Sequence, residues 1–176
     1  TDIHCHLLPG VDDGPGTIKE AGRLLDLMRE EGVDRIIVTP HFHPEMFEPS
    51  AERVERFYWG LKEMARRRRI RPYLGCEFYR CPEMSRLLAE GKRPSLAGSS
   101  HVLVEFAPDD VYQTIRNYIY ELRSRGWRPV IAHVERYECC HRDSRRVREL
   151  TELGAAIQVN ASAVMGKRGG RMKGFC

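Results

Sequence analysis

Short apolar runs separated by segments of helical period constrain this chain more than any other feature. The runs are Asp2 to His6, Arg35 to Thr39 (RIIVT), Pro72 to Phe78 (PYLGCEF), His101 to Phe106 (HVLVEF), Pro129 to His133 (PVIAH) and Ala155 to Asn160 (AAIQVN). Brief, near-continuous apolar runs of this kind belong to parallel strands buried on both faces. Between them, Thr17 stands as an N-cap with Glu20 three residues on, and Ile18, Ala21, Leu24, Leu25 and Met28 follow at helical spacing up to Gly32. A second helix runs from Ser50 to about Arg69, with Val54, Phe57, Tyr58, Leu61 and Met64 on one face. Pro82 to Glu90 predicts a short helix. Asp109 or Asp110 opens another, carrying Val111, Ile115, Tyr118, Ile119 and Leu122 and ending at Gly126, and Ser144 to Leu153 predicts the last. Six strands alternating with five helices make an α/β chain with a mainly parallel sheet.

A length of 176 residues suits one domain over 1–176 and is short for two well-packed ones. The balance of 29 basic and 25 acidic residues, net +4, is mild and gives no reason for a nucleic-acid partner. No apolar run approaches the roughly 20 residues of a membrane span, so no membrane insertion is expected. The chain opens on Thr1-Asp2-Ile3-His4, which predicts no signal segment and a cytoplasmic protein. Among its six cysteines there is no CxxC pair, and Cys139 and Cys140 are adjacent, so they are read as reduced, incidental thiols.

Function is written at the carboxyl ends of the strands. His4 and His6 close the first and His41 follows the second. Glu77, Glu105, His133 and Asn160 end the remaining four. Parallel strands deliver their carboxyl ends to one mouth, where barrel enzymes hold their chemistry. His4 and His6, two apart on a strand, point the same way while Cys5 points to the other face. A carboxylate inside VLVEF is costly to bury unless it is paired or ligates a cation. Mixed imidazole and carboxylate donors suit Mn, Fe or Zn. Glu105, with two oxygens, is the candidate bridge between ions that activate water and clamp a phosphoryl group. Asp13 either adds a ligand or is a turn aspartate before Gly14.

Other signals point to ordinary structure. The spacing C-x5-R links Cys139 to Arg145 and Cys140 to Arg146, but no glycine lies between them to open a phosphate-binding loop. Arg66-Arg67-Arg68-Arg69 falls at a helix C-terminus, where the dipole favours cations. The tail KRGGRMKGFC is glycine-rich, basic and expected to be mobile. Tyr112, Tyr118 and Tyr120 read as packing residues.

The segments DIHCHLLPGVDDGP, TPHFHP, GCEF, VLVEF, AHVERY and IQVNASAVMG resemble the polymerase-and-histidinol-phosphatase (PHP) superfamily. Within it they are most similar to the bacterial tyrosine-protein phosphatases of capsular and exopolysaccharide loci. That resemblance implies a PHP-type distorted (β/α)7 barrel and a metal-dependent protein-tyrosine phosphatase, usually with manganese. It further implies a tyrosine kinase of polysaccharide synthesis as the phosphotyrosine protein substrate. His4, His6, His41, Glu77, Glu105 and His133 carry over as metal ligands and Arg136 as the phosphate-binding cation. The family continues into a seventh strand ending in an Asp-x-His pair, and no such pair follows Asn160 in this sequence, so the resemblance implies a barrel incomplete in this chain. Two other readings stand beside it: a PHP phosphoesterase for a small phosphate ester or nucleic acid, and a truncated paralogue that binds phosphotyrosine without hydrolysing it.

Overall fold

The computed structural model describes residues 1–176 except Arg168, and leaves aside the side chains of Arg142 and Arg171. It resolves into two compact units, residues 1–99 and residues 100–176, both built of parallel strands and helices.

In the first unit, β1 (Asp2–Cys5), β2 (Arg35–Val38), β3 (His41–Phe42), β4 (Arg71–Leu74) and β5 (Glu77–Tyr79) alternate with α1 (Ile18–Glu30), α2 (Ala51–Arg67) and α3 (Met84–Ala89). The strands β1, β2 and β4 lie side by side in that order, all parallel. The expected single strand Pro72 to Phe78 is in fact two, β4 and β5, and the second run likewise continues into β3. The breaks fall at Pro40, which has no N–H to donate, and at Gly75-Cys76. Arg35 stands opposite Arg71 and His41 opposite Glu77, so the register survives the break, bridged by the Gly75 and Glu77 N–H groups donating to Val38 O and Pro40 O. A Cβ at Gly75 would stand 3.0 Å from both Ile37 Cγ2 and Leu96 Cδ2, which is why the bend carries glycine. This bend turns His41 and Glu77 into the first residues of paired strands.

The capping box forms as the sequence predicts: Glu20 N–H donates to Thr17 Oγ1 at 3.2 Å, and Thr17 N–H to Glu20 Oε2 at 3.0 Å. Ala21 and Leu25 of α1 and Val54, Leu61 and Ala65 of α2 bury against Leu7, Leu8, Ile36, Val38 and Ile70. Ile18 and Leu24, expected on the buried face, are exposed, because that face is centred on Ala21, Gly22 and Leu25. The run of arginines ends α2: Arg68 forms a bidentate pair with Asp26 and donates to Met64 O, and Arg69 takes a positive φ.

The second unit holds β6 (His101–Glu105), β7 (Arg128–Ile131) and β8 (Ala156–Ile157), parallel and in that order. Its helices are α4 (Tyr112–Ser124), α5 (Glu138–Arg142), α6 (Arg145–Glu152), α7 (Ala161–Val164) and α8 (Gly170–Phe175). Phe106 is the centre of the packing, meeting Tyr118 and Tyr137 edge to face at 5.7 and 5.9 Å. The Tyr137 hydroxyl donates to Ala132 O and accepts from Phe106 N–H, satisfying a buried polar tip. Tyr120 is exposed.

Four expectations change here. The helix assigned to Asp109 or Asp110 starts at Tyr112, since the Asp110 carboxylate accepts from Ala107 N–H in the preceding turn. Strand β7 ends at Ile131, and His133 lies two residues beyond it in the left-handed region (φ 33°, ψ 56°). Strand β8 is two residues long rather than six, and Asn160 precedes α7 instead of ending a strand. The tail, expected to be mobile, forms α8, where Phe175 packs edge-on against His141, while the part of that expectation at Arg168 lies outside the described residues.

Candidate metal centre

In the first unit five of the sequence-selected residues converge. Side chains two apart on a strand share a face, so β1 presents His4 and, one step beyond its end, His6. Both Nε2 atoms stand 3.0 Å from one oxygen, Glu77 Oε2, and 3.2 Å from each other. His41, paired with Glu77 by strand register, brings its Nδ1 to 3.3 Å from the same oxygen. Asp13 Oδ1 lies 3.6 Å from His41 Nε2 and 3.7 Å from His6 Nδ1, on a side chain 59% exposed, whereas that of Glu77 is 1% exposed. His41 also stacks on Phe47, with centroids 5.5 Å apart.

This spacing fits a divalent cation. Nitrogen and oxygen ligands about 2.0–2.1 Å from a common ion stand roughly 2.9–3.4 Å from one another, and the separations around Glu77 Oε2 are 3.0–3.3 Å. The groupings His4–His6–Glu77 and His6–Asp13–His41 each bring three ligand atoms within 4.8 Å of one another. Imidazole and carboxylate donors are those of Mn, Fe or Zn sites. The electrostatics agree. Burial alone would lower the His6 pKa, but hydrogen bonds and charge from Asp12 and Glu77 outweigh it and hold His6 up at about 10. A surplus of negative charge here is being met by a proton.

Asp12 was not among the residues singled out from sequence, where the Asp-Asp doublet drew attention only to Asp13. Its side chain is fully buried, and Oδ2 lies 2.8 Å from His6 Nδ1. Burial pushes the Asp12 pKa up, but the hydrogen bond and charge of His6, with backbone N–H groups of His41 and Gly14, bring it below the ordinary carboxylate value. The signal available in sequence was the Asp-x-Gly turn, in which an aspartate caps the N–H two residues on.

The second unit gathers the other three. Glu105 closes β6, and its Oε1 lies 3.2 Å from His133 Nε2 and 3.8 Å from Arg136 Nη1. The Arg136 side chain is 39% exposed. The QVN segment holds the histidine: His133 N–H donates to Gln158 Oε1 at 2.7 Å, and Val134 N–H to Gln158 O at 3.0 Å. Gln158 Nε2 donates to Asn160 Oδ1, and Asn160 N–H to Glu135 Oε1. Asn160 is thus a brace for the loop after β7.

The cysteine motif assembles no phosphate loop. Cys139 and Cys140 are buried, and burial, with Cys139 beside it, pushes the Cys140 thiol up to about 12. Arg145 pairs with Asp143, while Arg146 donates to Cys139 O and covers the Tyr112 ring. All six cysteines are free, and no helix of the described residues is long and apolar enough to cross a membrane.

A family model for capsular polysaccharide synthesis proteins, CpsB/CapC, matches residues 1–176. The chain is 32% identical over 163 residues to the tyrosine-protein phosphatase CpsB of Streptococcus pneumoniae, covering 91% of this chain and 67% of that protein. It is 30% identical over 176 residues to the tyrosine-protein phosphatase YwqE of Bacillus subtilis, covering 99% of this chain and 69% of that protein. It thus spans about two thirds of these relatives. Crystal structures of YwqE and CpsB, described as unique metal-dependent tyrosine phosphatases, include a chain that superposes with a TM-score of 0.90 at 29% identity, over 99% of this chain and 71% of that one. With its α/β fold of parallel strands, its histidine and carboxylate cluster and a family match along its whole length, the chain belongs to the CpsB/CapC family of capsular polysaccharide synthesis.

Proposed function

We propose that this chain is a metal-dependent protein-tyrosine phosphatase acting on a phosphotyrosine protein, namely a tyrosine kinase of capsular or exopolysaccharide synthesis, in the cytoplasm. The observation that carries the reading is the convergence of His4, His6 and His41 on Glu77 Oε2. The ligand groups are His4, His6, Asp13, His41 and Glu77 in the first unit and Glu105 and His133 in the second. The metal is read as manganese, with iron or zinc served by the same donors. Residues 1–176 are read as belonging to one PHP-like phosphatase domain with the family's distorted (β/α)7 barrel, a reading supported by the family model that spans them all.

Bound divalent ions supply an activated water and positive charge for the phosphoryl oxygens. The residues of the chain do the rest. Arg136 offers a planar fork of donors to the non-bridging oxygens, and its 3.8 Å separation from Glu105 leaves that fork loosely held. Glu77, buried among imidazoles, fixes their orientation. Hydrolysis adds water across the P–O bond and yields inorganic phosphate and a tyrosine phenol. Phenol has a pKa near 10, so the phenolate departs without a strong general acid and takes its proton from solvent.

The test is hydrolysis of a phosphotyrosine peptide by the purified chain with manganese, beside a phosphoserine peptide, a sugar phosphate and an oligonucleotide. Cleavage of the phosphotyrosine peptide that a chelator abolishes, and that Cys139→Ser and Cys140→Ser leave largely intact, is the expected result. Preference for the sugar phosphate or oligonucleotide would assign a different phosphoesterase. Binding without cleavage in saturating metal would make the chain a phosphotyrosine-binding protein.

A further inference from the structure

We infer that Asp12 is the positioning residue of the metal centre: it holds the proton of His6 on Nδ1 and thereby dedicates His6 Nε2 to the ion. The inference rests on the proposed metal site and adds a residue and a nitrogen assignment to it. His6 has two candidate ligand atoms. Its Nε2 lies 3.0 Å from Glu77 Oε2 and 3.2 Å from His4 Nε2, while its Nδ1 lies 3.7 Å from Asp13 Oδ1. Taken alone, those distances allow an ion on either side of the ring. Asp12 decides between them, because its Oδ2 is 2.8 Å from Nδ1, and a carboxylate there takes a hydrogen bond from an Nδ1–H.

Asp12 is not itself placed as a ligand. Its Oδ2 also accepts from His41 N–H at 3.0 Å, and its Oδ1 accepts from Gly14 N–H at 3.1 Å. A cation reaching either oxygen would meet these N–H dipoles. The same carboxylate oxygen therefore ties the His6 ring to the backbone of His41, fixing two histidines that come from different strands. Gly14 completes the device, since a Cβ there would stand 2.8 Å from His6 O and 3.1 Å from Asp12 Oδ1. The doublet divides its labour: buried Asp12 orients, and exposed Asp13 faces the imidazoles.

The test uses zinc, which is diamagnetic, and the whole chain with histidine labelled by 15N. In the zinc-loaded wild type, two-bond proton–nitrogen spectra should show His6 protonated at Nδ1 and metallated at Nε2, with the signals assigned by their loss in His6→Gln. Asp12→Asn should weaken zinc binding about 10- to 100-fold in a competition titration, and its His6 Nδ1–H should exchange faster with water. A wild-type spectrum with metal on Nδ1 overturns the inference even if Asp12→Asn does not fold. Equal zinc affinity in a folded Asp12→Asn also overturns it, leaving the metal site standing. A wild type that binds no zinc and no manganese removes the metal site, and the inference with it.

Discussion

A single carboxylate oxygen facing three imidazole nitrogens, as Glu77 Oε2 does, makes charge at this spot depend on whatever cation is present. Without metal, the proton on His6 serves. The pKa of His6 is raised to about 10, so its contribution to stability is complete below its ordinary value near 6.5 and lost as pH rises through about 10. The pKa of Asp12 is lowered, so its contribution is present above the ordinary aspartate value and lost as pH falls through its depressed one. The metal-free chain should therefore melt highest between these limits, and thermal melts across pH in a chelator check it. Metal must displace the His6 proton, so manganese affinity should climb from pH 6 to 9, and equal affinity at both ends would contradict that displacement. Glu105→Gln should damage turnover more than Arg136→Lys. The amide nitrogen cannot ligate a cation, whereas lysine keeps the charge and loses the bidentate fork, worth about 1–3 kcal/mol or roughly 10- to 100-fold in rate. Excess manganese should partly rescue the first variant and leave the second unchanged; full turnover and metal content in Glu105→Gln would make Glu105 a structural carboxylate.

Elements matter here mostly through how they end. His133 lies past β7 in a left-handed conformation that few non-glycine residues adopt, and the side chain of Gln158, just beyond β8, accepts from its N–H. Gln158→Leu removes that acceptor and should lower turnover by about 10-fold or more with a smaller effect on melting; unchanged kinetics would show that the loop holds itself. Thr17→Ala removes the capping box of α1 and should cost about 1 kcal/mol in denaturant unfolding while leaving metal affinity alone. The alternation of strand and helix was legible in sequence because short continuous apolar runs differ from apolar residues recurring at a period of 3.6. The bends at Pro40 and Gly75-Cys76 were not, because GCEF reads as continuous extended chain and the break arises from close approach to Ile37 and Leu96. The residues of the site were legible by type, since His and Glu at apolar strand ends have few other uses. Their supports were not: Asp12 looks like an ordinary turn residue and Gln158 like one more strand residue, while Asn160, expected to close a strand at the site, instead braces the loop after β7.

For the molecule as a whole, the thiols report on folding independently of function. Cys5, Cys76, Cys81, Cys139 and Cys140 are buried and Cys176 is exposed. Burial raises the pKa values of Cys5, Cys76, Cys81 and Cys140. An aromatic disulfide reagent at neutral pH should modify Cys176 alone in the native chain and the other five only on unfolding, and rapid reaction of Cys139 or Cys140 would revive a thiolate role for them. The central claim, that the first unit holds a divalent cation on His4, His6 and Glu77, has a more direct test. Crystals of the chain grown with manganese should give an anomalous difference peak at the manganese edge within bonding distance of His4 Nε2, His6 Nε2 and Glu77. A chain that hydrolyses phosphotyrosine in a manganese-dependent way but shows no peak at those atoms would contradict it.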